Sequence, residues 1–228
     1  MKKFILFDFD GTLVDSQILY DTAASEILIE INPKYTLDYC MDYFNGRGWK
    51  DVFAEIATLE PKKDINLAFQ KALIRAKELT SNNVITTKNA LKTLQKLSNQ
   101  GLDMAICSNS SFEAIMGYLQ KVGMEKFFKP ERIFGVESVQ VSKPAPDVYL
   151  KAISYFGAKK EECLAVEDSI AGLKSAVFAG IDVLFYRGAS HHTKNPQNAK
   201  NILATLQHLD DNTLVGEATD LEEIFKYI

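Results

Sequence analysis

Cysteine is scarce in this chain, and none of it is spaced for a metal. The three cysteines, Cys40, Cys107 and Cys163, form no CxxC pair and none has a histidine near it in sequence. That spacing argues against a zinc site. They read instead as small buried hydrophobes in a reducing, cytoplasmic setting. Long apolar runs are missing too. Phe4 to Phe7, preceded only by Lys2 and Lys3, is too short for a signal peptide, and no later stretch spans a bilayer. Basic charge is not in excess. A formal net charge of -4 speaks against nucleic acid as the main partner, which would favour a basic patch. There is no internal repeat and no low-complexity tract. What is present is 228 residues, 46% hydrophobic, enough to bury a sizeable core. Such a length suits one large domain, or one domain carrying a smaller insert.

Phe4-Ile5-Leu6-Phe7 is continuously apolar, as a strand covered on both faces would be. Similar short runs recur at Met104 to Cys107, Leu164 to Val166 and Val183 to Phe185. Amphipathic helical patterns separate them. Ala90, Leu91, Leu94 and Leu97 form one face, stopped by Gly101. Ile115, Met116, Leu119 and Val122 form a second, stopped by Gly123, with Ser110 and Glu113 at capping-box spacing. A third runs from Val148 to Phe156 and a fourth from Ile170 to Val177, each followed by glycine. Alternation of strand and helix predicts an α/β fold with a doubly wound, Rossmann-like parallel sheet. Ligands of such folds bind outside the carboxyl ends of the strands.

Residues 16–82 break the alternation. Ile18 to Ile31 and Ile65 to Ala76 carry helical faces, and no strand run stands out between them. This predicts an all-helical insert at 16–82, a cap domain in a core made of 1–15 and 83–228. Its flanks, Val14-Asp15-Ser16 and Thr80-Ser81-Asn82-Asn83, are polar and small enough to be hinges. In the tail, Gly188 to Asn195 reads as loop, Asn198 to Leu209 as helix, and Asp220 to Ile228 as a short closing helix.

The chemistry begins at FDFDGTLVDS, Phe7 to Ser16. Residues i and i+2 of an extended chain point the same way, so Asp8 and Asp10 deliver two carboxylates to one place at a strand end. Like charges there repel unless a cation offsets them. An aspartate-glycine turn would need only one of the pair. An EF-hand loop would need Asp or Asn where Leu6 stands. Three more stretches fall where strands end. Ser108-Asn109-Ser110 precedes a helix, where a hydroxyl and backbone N–H groups could hold an anion, although a serine there can simply cap the helix. Lys143 lies in the loop Val141 to Asp147, between a serine and a proline. Glu167-Asp168 closes an apolar strand, as metal ligands or as helix caps.

Taken in this order, DxDGTLVDS, SNS, SKPAPDVY and VEDSIAGLKSAVFAGI resemble the haloacid dehalogenase superfamily of phosphohydrolases, in the branch with a helical cap after the first strand. The resemblance spans nearly the whole chain. It implies that Asp8 is a nucleophile that becomes an aspartyl-phosphate, and that Asp10 is the acid and base. It implies Mg²⁺ on Asp8, the Asp10 carbonyl and Asp168, with Glu167 a direct or water-mediated ligand. Ser108, Lys143 and backbone N–H groups near Gly11 and Asn109 would hold the phosphoryl oxygens, and Thr12 would orient Asp10. The implied partner is a small phosphorylated metabolite, and the chain is expected to be a monomer or weak dimer.

Within that superfamily, Asp10 disfavours dehalogenases and phosphonate hydrolases. The sugar-phosphate mutases keep DxD and add a cap histidine, where this chain has Tyr20. Simple phosphomonoester hydrolysis is therefore expected, with a phosphosugar mutase as the alternative and a non-catalytic phosphometabolite binder behind both. Phe44 to Lys50 is the expected substrate loop of the cap, with Gly46 and Gly48 for backbone freedom, Arg47 as an anion contact and Trp49 in the cap core. The family's proline-glycine pair leading back into the core is replaced by Asn83 to Thr87. His191 and His192 are expected to be solvated and receive no role.

Overall fold

In a computed structural model the described residues are 1–44, 47–194, 196–206 and 213–228. The elements in chain order begin with β1 (Phe4–Phe7). Helices α1 (Gln17–Leu28), α2 (Leu37–Tyr43), α3 (Trp49–Leu59) and α4 (Ile65–Asn83) follow. Next come α5 (Ala90–Asn99), β2 (Asp103–Cys107), α6 (Phe112–Val122), β3 (Ile133–Phe134), α7 (Asp147–Phe156) and β4 (Cys163–Glu167). The chain closes with α8 (Ile170–Ala179), β5 (Asp182–Tyr186), α9 (Ser190–Lys194), α10 (Pro196–Leu206), β6 (Leu214–Ala218) and a 3₁₀ turn at Leu221–Lys226. They form two compact units, Met1–Asp15 with Ile85–Ile228, and Ser16–Val84. Among the described residues no helix is long and apolar enough to cross a membrane.

The first unit is a six-stranded parallel sheet in the order β3-β2-β1-β4-β5-β6. The chain winds outward from β1 to β3, then returns to the other side of β1 as β4. The crevice between β1 and β4 is thus the point where the winding reverses, and the carboxyl ends there are where a ligand is expected. Phe7 is level with Ile106 on β2 and with Val166 on β4. Asp8, Cys107 and Glu167 are therefore the next residues at that edge. Helix ends are cut by Gly123, Gly157 and Gly180, each with positive φ after the last helical residue. The core beneath includes Leu6, Ala105, Tyr149, Cys163, Ala165, Leu173 and Phe185, all fully buried. Cys40, Cys107 and Cys163 are free and buried.

Strands β3 and β6 are not foretold by the sequence pattern. β3 is two residues long, too short to show a period, and β6 is a half-buried edge strand that includes Gly216 and Glu217. Part of the tail differs as well. Ser190–Lys194 is a short helix rather than loop, and α10 starts at Pro196; Asn195 and Leu209 lie outside the described residues. Thr80 to Asn83, read as a hinge, is the last turn of α4. The residues that replace the proline-glycine pair have their own anchorage. Asp15 donates its N–H to the Ile85 carbonyl, Thr87 donates its N–H to that of Leu13, and the Thr87 hydroxyl donates to Thr12 O at 2.6 Å.

The second unit is helical among its described residues. Thr36 caps α2 and Asp64 caps α4, each accepting a backbone N–H three residues on. Its core gathers Leu28, Tyr35, Phe44, Val52, Phe53, Ile56 and Ala72, with Trp49 packed against it, half-buried.

Candidate active site

Four ionisable side chains meet at the carboxyl ends of β1 and β4. Asp8 extends the β1 ladder by donating its N–H to Val166 O at 2.9 Å. Glu167 ends β4 and Asp168 follows it. Lys143 comes from the loop before α7, and its Nζ lies 2.7 Å from Asp8 Oδ1, 2.5 Å from Glu167 Oε1 and 2.6 Å from Cys107 O. All four residues are buried. Burial alone would lower the Lys143 pKa, but the charges of Asp8 and Glu167 together outweigh it and raise it above the ordinary value. Glu167 goes the other way. Burial, then the charge of Asp8, raises it to about 8 despite the ammonium beside it. Asp168 is raised well above the usual carboxylate range by burial first and the charge of Asp8 second, with Asp10 adding to it.

Three carboxylates and one ammonium leave this cluster short of positive charge. One oxygen from each of Asp8, Glu167 and Asp168 lies within 4.8 Å of the others. Glu167 Oε2 is buried with no hydrogen-bond partner. The glycines nearby make the room. Gly11 has a φ of +83°, and a Cβ built there would overlap Asp168 Oδ2; a Cβ on Gly172 would overlap the Glu167 carboxylate. An all-oxygen, acidic donor set of this kind fits a hard divalent cation.

The other residues singled out in the sequence fall as follows. Ser108 is buried, and its Oγ accepts the Ser110 N–H at 3.0 Å. Asn109 clips the lysine loop by its side chain: Nδ2 donates to Lys143 O at 3.2 Å and Oδ1 accepts from Lys143 N at 2.9 Å. Asp10 is half-buried, and its Oδ2 accepts from the Ser110 hydroxyl at 2.5 Å. Thr12 was expected to orient Asp10, but its hydroxyl is buried with no hydrogen-bond partner. Ser110 makes the side-chain bond instead, and it is free to do so because the capping oxygen of α6 belongs to Ser111, which accepts from Ala114 N at 3.2 Å. Arg47 lies in the helical unit, paired with Glu55 and over the Tyr43 ring at 5.0 Å. Asn45 and Gly46 of the expected substrate loop lie outside the described residues.

Three further residues of the cluster were not assigned from the sequence. Tyr149 donates its hydroxyl to Glu167 Oε1 at 2.5 Å; the spacing that put it on an apolar helix face carried no sign of this. His191 and His192, expected in solvent, are 1% and 2% exposed. His191 Nε2 lies 3.2 Å from Asp168 Oδ2, and His192 Nε2 lies 2.7 Å from the Asp168 carbonyl oxygen. Burial lowers the His191 pKa to about 4, against the opposing pull of Asp15 and Asp8, so its ring is neutral at pH 7.

The family model described as haloacid dehalogenase-like hydrolase matches residues 5–186. Hexitol phosphatase A of Escherichia coli is 29% identical over 193 residues, 80% of this chain and 82% of its own length. The 6-phosphogluconate phosphatase of the same organism is 27% identical over 211 residues, 90% of each chain. A crystal structure of a haloacid dehalogenase-like protein of unknown function from Agrobacterium tumefaciens superposes with a TM-score of 0.84 at 25% identity. It covers 99% of this chain and 97% of its own.

Proposed function

We propose that this chain, which belongs to the haloacid dehalogenase-like hydrolase family, is a Mg²⁺-dependent phosphatase that hydrolyses small phosphomonoesters through an aspartyl-phosphate. The observation that carries the reading is the Lys143 ammonium wedged between Asp8 and Glu167, with Asp168 beside them. An exposed carboxylate needs no such arrangement. One that must meet a phosphate dianion does.

In this reading an Asp8 carboxylate oxygen attacks phosphorus, and the bond to the ester oxygen breaks. Asp10, held by Ser110, gives its proton to the departing alcohol. Asp10 then takes a proton from water as that water attacks the phosphoryl group, which frees Asp8 and inorganic phosphate. Lys143 and Ser108 stabilise the phosphoryl oxygens, with the backbone N–H groups near Gly11 and Asn109. Asp8, Asp168, the Asp10 carbonyl and Glu167 would hold the Mg²⁺, which supplies the positive charge that lets two anions approach.

The activities named for the two Escherichia coli relatives support a phosphorylated sugar, sugar alcohol or sugar acid as the substrate class. Tyr20 supports hydrolysis over mutase chemistry. Where a mutase has a histidine, this ring packs edge-on against Trp49, 5.9 Å between centroids. The test is phosphate release across sugar phosphates, phosphoglycolate, glycerol phosphates and nucleotides with Mg²⁺. Wild type should turn over at least one of them and Asp8→Asn none. Equal activity in Asp8→Asn rejects Asp8 as the nucleophile. Conversion of a hexose 1-phosphate to its isomer with a bisphosphate primer, and no free phosphate, rejects hydrolysis.

A further inference from the structure

We infer that His191 is a positioning residue for Asp168: its Nε2–H donates to Asp168 Oδ2 and fixes the carboxylate in the orientation that brings it to Asp8 and Glu167. The inference rests on the metal site of the proposed function and adds a residue that lies outside every motif of the resemblance. A carboxylate turns easily about its last bond unless a donor holds one oxygen. Here the donor is buried with it. His191 is 1% exposed and Asp168 3%, and the two approach to 3.2 Å. An Asp168 that holds a cation is ionised and can only accept, so in that state Nε2 carries the proton.

The surroundings leave both groups little room to move. A Cβ on Gly11 would overlap Asp168 Oδ2 and come within 3.0 Å of His191 Cε1, so the backbone of the Asp8–Thr12 turn closes over the pair. His192 holds the other end of the same residue, with Nε2 2.7 Å from the Asp168 carbonyl oxygen. The two imidazoles lie 3.9 Å apart, and His192 meets Phe185 of β5 edge-on at 5.5 Å. Ser190 ties α9 down: its N–H donates to Asp15 Oδ1 at 3.0 Å, and its hydroxyl bonds the other Asp15 oxygen. A histidine donating to a carboxylate that binds a cation orients that ligand from outside the coordination sphere, and such partners matter for metal affinity.

The experiment is Mg²⁺ titration calorimetry on the full chain as wild type, His191→Leu and His191→Gln, each checked for folding by circular dichroism. His191→Leu should bind Mg²⁺ about 10–100-fold more weakly. His191→Gln, whose amide can donate from a similar position, should recover most of that loss. Equal affinity in wild type and a folded His191→Leu overturns the inference, as does a loss that Gln leaves unchanged. A second measurement does not depend on the variants. In ¹⁵N-histidine-labelled wild type saturated with Mg²⁺, the His191 Nε2 should carry a proton in a hydrogen bond. An unprotonated Nε2 there, as direct ligation would require, also overturns it. A wild type that binds no Mg²⁺ at all fails the metal reading itself, a result distinct from a difference between variants.

Discussion

The ammonium of Lys143 stands 2.7 Å from Asp8, and both residues are buried. It also satisfies Glu167 and the Cys107 carbonyl, so one charge serves three acceptors. Lys143→Met should therefore leave Asp8 and Glu167 as neighbouring buried acids. Removing one partner of a buried ion pair costs about 3–5 kcal/mol, and burial already favours the neutral form of Glu167, which puts the loss at the lower end of that range. The loss in kcat/KM should be about 10²–10³-fold, because the positive charge facing the transferred phosphoryl group is gone. Lys143→Arg should not restore it, since a planar guanidinium cannot sit as a point charge among those three acceptors. Retention of near-wild-type kcat/KM in the Met variant would remove Lys143 from the chemistry.

Ser110 gives a second, separable prediction. Its hydroxyl donates to Asp10 Oδ2 at 2.5 Å, and the proposed function uses Asp10 to pass protons. Ser110→Ala should lower kcat about ten-fold or more, the worth of a hydrogen bond to a charged group, and leave KM nearly unchanged. Ser110→Thr keeps the hydroxyl and should restore most of the rate. α6 should remain capped in both, because Ser111 does that work. Steady-state kinetics of the three proteins decide the matter; an Ala variant with wild-type kcat counts against the role.

Why were Asp8, Lys143 and Asp168 legible in the sequence while Ser110 and His191 were not? Asp8 follows an apolar strand, where a charge is anomalous in one dimension. Lys143 and Asp168 were ambiguous alone and stood out only through the resemblance of the ordered motifs to the haloacid dehalogenase superfamily. The strands β1, β2, β4 and β5 were legible because they are short, apolar and flanked by helical periods. Ser110 has the composition of a helix cap, and only the three-dimensional path shows that its neighbour Ser111 takes that place. His191 lies in a polar segment with no periodic neighbours, and nothing local reveals that the Ser190–Asp15 bonds bring it back to β1. Its burial depends on a contact 175 residues long in sequence, and no window along the chain contains that.

The C-terminal turn supplies a pH prediction. Glu223 accepts from Lys226 Nζ at 2.6 Å and from the Thr219 N–H at 3.0 Å. The lysine first, then the backbone N–H, lowers its pKa from 4.5 to about 2. A carboxyl depressed on folding stabilises the native state above its ordinary pKa. Between 4.5 and about 2 the unfolded chain takes up the proton first, so that contribution is lost as pH falls through this window. The lysine is exposed and Glu223 half-buried, so the pair is partly screened by solvent. Glu223→Gln should thus lower the thermal midpoint by about 1–2 °C at pH 6, and wild type and variant should converge near pH 2. Midpoints that differ by the same amount at pH 6 and pH 2 would show that the carboxylate charge is not responsible.

Arg47 is the test of where selectivity resides. Its guanidinium pairs with Glu55, and the Tyr43 hydroxyl donates to Glu55 at 2.6 Å. Arg47 and Glu55 are exposed and Tyr43 is half-buried beside them in the helical unit. Exposed ion pairs contribute little to stability, so Arg47→Ala should unfold within about 1–2 °C of wild type. If Arg47 leaves Glu55 to meet an anionic substrate, the variant should lose kcat/KM mostly through KM. The loss should be greater for a sugar acid phosphate with a second negative group than for a neutral sugar phosphate, because the planar donor set of arginine matches a carboxylate. The ratio of kcat/KM between those two substrates, measured for wild type and Arg47→Ala, is the deciding quantity. A ratio unchanged by the substitution assigns Arg47 to the cap's own packing and removes it from substrate recognition.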